Sequence, residues 1–219
     1  MDDNKKLNEL LRWGIQNSDE GALAEAAQSG AQQQSNLTPE VLEALMGGPS
    51  EADLMKASME IITSPDEEVS LENKLIAFDN FEQLIESLDN ANNMANLNLW
   101  TPLLEQLSNK EAEIRKMAAW CIGTAVQNNE KTQERLLAAG GVAPLVSLAV
   151  SEAESEQVRR KAIYALSSAI RNYQPSLDAA VAELNTKGHS IEKVDATDMD
   201  AVDTIILPLR EKAKASASA

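Results

Sequence analysis

The sequence predicts an all-α protein assembled from stacked helical repeats. Three observations carry this: a core palette almost without aromatics, an apolar periodicity that follows the helix, and a segment that recurs after 44 residues. Aromatic residues make up 3% of the 219-residue chain against 43% hydrophobic overall, so Leu, Ile, Val, Ala and Met must build the core. Those side chains fill the space between helices, whereas sheets draw on β-branched and aromatic residues. No alternating β-branched run stands between turn residues, so no strand is expected.

The elements follow in order. Thr38 or Pro39 opens a brief helix to Met46, which Gly47-Gly48-Pro49 ends. Ser50 followed by Asp53 predicts an N-cap, with Leu54, Met55, Met59 and Ile62 on the helix it starts and Pro65 closing it. Ser70 opens the next, where Leu71, Leu75, Phe78, Leu84, Ile85 and Leu88 form a stripe that predicts one element over Leu71–Asn90. The short helix Leu99–Leu107 carries Pro102 in its first turn, where a missing N–H costs nothing. Helices are expected over Ala112–Asn128, Thr132–Ala138, Val142–Ala149 and Glu156–Tyr173, with Gly140-Gly141 separating the two short ones. After Pro175 come Leu177–Leu184, a polar loop and Asp198–Lys212, with no clear final repeat. The expected division is therefore a flexible segment over 1–37, a repeat domain over 38–184, and a loop, final helix and tail over 185–219. Within the first of these, Ala31-Gln32-Gln33-Gln34-Ser35-Asn36 has too little apolar surface to order itself.

The repeat decides the architecture. A shift of 44 residues lays Arg115–Asn128 on Arg159–Asn172, with small residues on small, Trp120 on Tyr164, and Asn ending both. A looser copy spans Leu75–Asn90. Periods of about 40–47 residues with two or three helices mark armadillo or HEAT arrays, and a double glycine between short helices followed by a long third helix favours armadillo. Each unit of such an array buries its apolar face against its neighbours, and the third helices line a concave groove. Polar residues expected on that groove are Asp79, Asn80, Gln83, Glu86, Asn90, Thr124, Gln127, Asn128, Ser168, Arg171 and Asn172. Asn128 and Asn172 read equally as helix-ending residues. The run Asp89-Asn90-Ala91-Asn92-Asn93 holds more amides than one cap needs, and grouped amides suit recognition of a partner's backbone. The small Ala91 there would admit a partner closely, so Ala91→Arg is expected to block binding while leaving the fold intact.

Charge and chemistry exclude other classes. A net charge of −16 repels phosphate backbones and anionic lipid, so neither nucleic acid nor membrane is an expected partner. The charge is uneven: between Glu51 and Asn109 the only bases are Lys56 and Lys74, whereas Lys110–Pro175 carries Arg115, Lys116, Arg159, Arg160, Lys161 and Arg171. No apolar run is long enough to span a bilayer, and the lone Cys121 fits a reducing compartment, so a cytoplasmic location is expected. His189 lies in a polar loop without ligand-spaced neighbours, Cys121 sits mid-helix, and Asp66-Glu67-Glu68 suits a helix start. Gly140-Gly141 lacks the lysine and strand of a phosphate loop. No catalytic group, metal, cofactor or bound nucleotide is expected.

Three stretches, Phe78–Asn93, Ile122–Asn129 and Tyr164–Asn172, together with Leu10-Leu11-Arg12-Trp13-Gly14-Ile15, closely resemble the fungal armadillo-type nucleotide-exchange factors of the seventy-kilodalton heat-shock (DnaK-class) chaperones. The resemblance implies a co-chaperone whose groove grips one lobe of the chaperone's ATPase domain and opens its cleft, so that ADP leaves, ATP enters and the bound peptide is released. The N-terminal Leu7, Leu10, Leu11 and Trp13, flanked by Lys5, Lys6 and Arg12, have two readings. One is an amphipathic helix docked on the first repeat; the other is a client-like segment that competes for the chaperone's client-binding domain. On the second, deleting Met1–Gln34 should leave ADP release intact yet slow net loss of bound peptide. The alternative family is a nuclear-import-like peptide adaptor, which walls a lysine pocket with Trp and places Asn four residues on. Here Trp120 is followed by Thr124 and Tyr164 by Ser168, so that ladder is missing. A general interaction scaffold is the third reading.

Overall fold

The computed structural model describes residues 49–66 and 68–215. Glu51–Ala219 clusters as one unit, and every regular element among its described residues is helical. The brief helix before Gly47, the glutamine-rich stretch and the Leu7–Trp13 cluster lie outside the described residues.

The helices are α1 (Glu51–Thr63), α2 (Leu71–Ile85), α3 (Leu88–Asn93), α4 (Trp100–Glu105, continued by the 3₁₀ turn Gln106–Ser108), α5 (Ala112–Val126), α6 (Glu130–Ala138), α7 (Val142–Val150), α8 (Glu156–Ile170), α9 (Gln174–Thr186) and α10 (Met199–Ala215). Among the described residues two three-helix units are complete, α3–α4–α5 and α6–α7–α8. Local chemistry starts and stops them. Ser70 and Ser155 cap α2 and α8, their hydroxyls accepting from the N–H groups of Asn73 and Val158 at 3.1 and 3.4 Å. Pro175 stands in the first turn of α9. Asn128 and Asn172 turn the chain after α5 and α8 in the left-handed region, at φ 51° and 59°, which asparagine tolerates better than most residues.

The core runs along the stack of long helices. Phe78, Phe81 and Ile85 of α2, Ala118, Cys121 and Ile122 of α5, and Ala162, Ala165 and Ala169 of α8 are buried in one core, in which α5 packs on both α2 and α8. The arginines matched by the repeat do different work. Arg159 is fully buried and its Nε donates to the Ala149 carbonyl at 3.4 Å. Arg115 donates to the carbonyls of Asn109 and Lys110 at 2.7 and 2.9 Å and to the Glu154 carboxylate at 2.6 Å, fastening the start of α5 to the loop before α8.

Three expectations are corrected. The element predicted over Leu71–Asn90 is two helices: α2 ends at Ile85, and Ser87, in extended conformation, opens α3. Leu88 therefore leaves the buried stripe and is 59% exposed. The side-chain amide of Asn90 folds back on the Leu84 carbonyl at 2.9 Å and on Glu51 at 2.8 Å, closing the end of α2. The long helices stop at Val126 and Ile170, short of Asn128 and Tyr173, because the chain must reverse there. Beyond Pro175 a further stacked element does exist. Val202, Ile205, Ile206 and Leu209 of α10 are buried against the stack, in the pattern that Arg159, Ala162, Ile163 and Leu166 show on α8.

Candidate protein-binding groove

Helices α2, α5 and α8 lie in sequence, and residues three or four apart on each point to the same side. On α2 these are Asp79, Glu82 and Gln83, with Glu86 just past its end; on α5, Lys116, Trp120 and Thr124, with Gln127 just past its end; on α8, Arg160, Lys161, Tyr164 and Ser168. Three hydrogen bonds rung the helices together: Thr124 Oγ1 donates to Glu82 Oε1 at 2.7 Å, Tyr164 Oη donates to Gln127 Oε1 at 3.1 Å, and Lys116 Nζ donates to Gln157 Oε1 at 3.4 Å.

Two clefts share the Tyr164 ring as a wall. The smaller, about 310 Å³, lies between α2, α3 and α5 and includes Glu82, Glu86, Leu88, Ala91, Thr124 and Asn128 in its lining. The larger, about 670 Å³, lies between α5 and α8 and is lined by Lys116, Met117, Trp120, Gln157, Arg160, Lys161 and Tyr164. The charge asymmetry of the sequence thus becomes spatial, with carboxylates at the α2 side and cations between α5 and α8. Lys161 Nζ sits 3.8 Å from the centre of the Trp120 ring and 5.8 Å from that of Tyr164, within range of cation–π attraction. Burial lowers its pKa below the usual lysine value, while the Glu82 charge works in the opposite direction.

Gly123 allows this wall to form. A Cβ there would fall on the Tyr164 ring and 3.1 Å from the Ala165 Cα. Gly123→Ala is expected to push Tyr164 aside and break its bond to Gln127. Overpacking commonly costs about 1–3 kcal/mol, and the better helix propensity of alanine returns at most ~1 kcal/mol, so a thermal melt should show a modest net loss.

Five of the sequence-predicted residues, Glu86, Ala91, Thr124, Gln127 and Asn128, line the smaller cleft. Asp79, Asn80 and Gln83 are exposed along α2, with Gln83 donating to Asp79 at 3.2 Å. The Asp89–Asn93 run belongs to α3, the first helix of its unit. There Asp89 is exposed, Asn90 is spent inside the fold, Asn92 is half-buried with its Oδ1 unpartnered, and Asn93 accepts from Asn96 at 3.1 Å. Ala91 is only 2% exposed, so Ala91→Arg would disturb α3 itself, contrary to the expectation from sequence. Ser168, Arg171 and Asn172 line neither cleft. The Ser168 carbonyl accepts from Gln133 at 2.8 Å, Arg171 is ion-paired with Asp203 of α10 and donates to Ser167 at 3.0 Å, and the Asn172 N–H donates to Ala196 at 2.9 Å. Those three tie α8 to its surroundings. Sequence reasoning did not place Lys116, Met117, Trp120, Gln157, Arg160, Lys161 and Tyr164 in the site; the match of Trp120 with Tyr164 in the repeat was the available signal.

Elsewhere reactive chemistry is sparse. The Cys121 thiol is fully buried, pushed well above the usual range by burial, and lies 3.7 Å from the Phe78 carbonyl. Among the described residues no three His, Cys, Asp or Glu side chains group as a metal site, and no helix is long and apolar enough to cross a membrane.

A stack of three-helix units with an open groove along its long helices is an armadillo-type binding protein. The family model for nucleotide exchange factor Fes1 matches residues 7–94, and that for the SIL1/FES1/HPBP1 C-terminal domain matches residues 90–181. The chain belongs to the Fes1 family of nucleotide exchange factors. Similar proteins include the Hsp70 nucleotide exchange factor FES1 of Gibberella zeae, 66% identical over 208 residues that cover 94% of this chain and 96% of that one. The Neurospora crassa protein of the same description is 52% identical, covering 97% and 99%. Among solved structures, one designed armadillo repeat protein aligns at TM-score 0.53 with 17% identity, covering 96% of this chain and 98% of that one. Another, in complex with the peptide (KR)4, aligns at 0.51 with 19% identity, covering 96% and 95%.

Proposed function

We propose that this chain promotes nucleotide exchange on an Hsp70 chaperone by gripping its ATPase domain with the α2–α5–α8 groove. The observation that carries this reading is the pair of clefts meeting at Tyr164, which present opposite charge along one face. The groove binds the open conformer of the ATPase domain more tightly than the closed one, and so shifts the population toward the form from which ADP escapes. Linkage then requires tighter binding to the nucleotide-free chaperone than to its ADP form. The chain makes and breaks no bond in this scheme; it acts by binding alone, in the cytoplasm. The Leu7, Leu10, Leu11 and Trp13 segment would compete with released client for the chaperone's client-binding domain and so prevent its rebinding.

The test uses residues that touch no core. Gln83→Arg together with Glu86→Arg reverses the character of the exposed α2 edge without burying anything. Release of a fluorescent ADP analogue from an Hsp70 ATPase domain should be accelerated by the wild-type chain and left near its spontaneous rate by the double variant, at an unchanged melting temperature. Full acceleration by the variant would remove α2 from the interface.

A further inference from the structure

The larger cleft concentrates cations in a chain that carries a net charge of −16. Its lining includes Lys116, Arg160 and Lys161 and no carboxylate. Two of these have acidic neighbours on their own helices: Lys116 pairs with Glu113, and Arg160 with Glu156 at 3.5 Å. Lys161 is held differently, by the ring faces of Trp120 and Tyr164. Cation–π contact offsets only part of what a lysine loses on leaving water, whereas a carboxylate makes a charge-assisted hydrogen bond about twice as strong as a neutral one. A carboxylate entering the cleft would therefore be drawn to Lys161, with Lys116 and Arg160 beside it, and an apolar neighbour could lie on Met117 and the rings. An entering lysine would meet three like charges and find the face of Trp120 already covered by Lys161.

We propose that Lys161 makes this cleft a receptor for an extended acidic segment of the ATPase domain, an Asp or Glu next to an apolar residue, and bars basic segments from Trp120. The proposal rests on the groove reading above and adds the chemistry of the bound segment. With carboxylates lining the neighbouring cleft, it also sets a polarity: the acidic part of the partner lies between α5 and α8, and its basic part faces α2.

The test measures affinity of the full chain for an isolated Hsp70 ATPase domain, and anisotropy of two labelled octapeptides, alternating Glu-Leu and alternating Lys-Leu. Lys161→Glu should weaken ATPase-domain binding at least tenfold and switch peptide preference from acidic to basic. Lys161→Met, which keeps the stem but not the charge, should weaken binding severalfold and abolish the preference for the acidic peptide, with an unchanged melt. Wild-type affinity in Lys161→Glu overturns the proposal, as does wild-type preference for the basic peptide or capture of neither. If Lys161→Glu binds normally while Gln83→Arg with Glu86→Arg fails, the groove reading stands and this assignment falls. If both variants bind normally, both fall.

Discussion

A chain ended at Lys187, lacking α10, should lose most of its stability. Val202, Ile205, Ile206 and Leu209 are each at most 4% exposed, and full burial of such a side chain stabilises by about 1.5–3 kcal/mol. Their loss alone approaches the whole stability of an ordinary domain, about 5–15 kcal/mol. The entropy of ordering α10 offsets part of this, and the exposed Lys212–Glu152 pair contributes little. Removing α10 also strips cover from α8 and deprives Arg171 of Asp203. A terminal unit with a polar outer face is what keeps a repeat array closed against solvent. Thermal melting of the truncated chain should fall by more than about 10 °C, since each kcal/mol moves a domain of this size by about 2–4 °C. An unchanged melt would show that α10 is dispensable.

Arg115→Ala is the second large effect. Its guanidinium serves two carbonyls and Glu154, and the two side chains of the ion pair keep only 17% and 12% of their surface exposed. Deleting one partner of a buried pair commonly costs about 3–5 kcal/mol, because the other charge stays behind. The residual exposure places this case at the lower end. Removing both partners, Arg115→Ala with Glu154→Ala, should recover part of the loss, and the cycle isolates the coupling between them. Equal loss in single and double variants would place the effect in the carbonyl contacts of Arg115 instead.

Local chemistry made most of the fold legible. Ser70, Pro102 and Gly140 act on their own neighbours, so the starts of α2 and α4 and the double-glycine turn fall within a residue of where the sequence puts them, whereas α9 begins at Gln174, ahead of the expected Leu177. The repeat was legible because Arg115–Asn128 and Arg159–Asn172 meet the same packing demand. The break at Glu86-Ser87 was not: Leu88 continues the apolar period of α2, and the extended Ser87 and the Asn90 amide folding back mark the end only in the structure. The place of α10 was hidden because its match to α8 lies in burial, with no likeness of residue type to carry it. The groove shows the same division. Glu86, Thr124, Gln127 and Asn128 could be found as polar residues at helical spacing on long helices. Trp120 and Tyr164 were matched by the repeat but not assigned to the groove, and only their partial exposure, with Lys161 laid over them, places them in a cleft. Arg171 is the converse, a charged residue whose guanidinium the fold already uses.

The central claim is that the face of α2, α5 and α8 is the working surface, and hydroxyl-radical footprinting of the full chain with and without an Hsp70 ATPase domain tests it most directly. Oxidation of Trp120 and Tyr164 should fall sharply in the complex, while the exposed Leu54 and Ile61 of α1 keep their free-state rates. Protection of Leu54 and Ile61 with Trp120 and Tyr164 still fully reactive would contradict it.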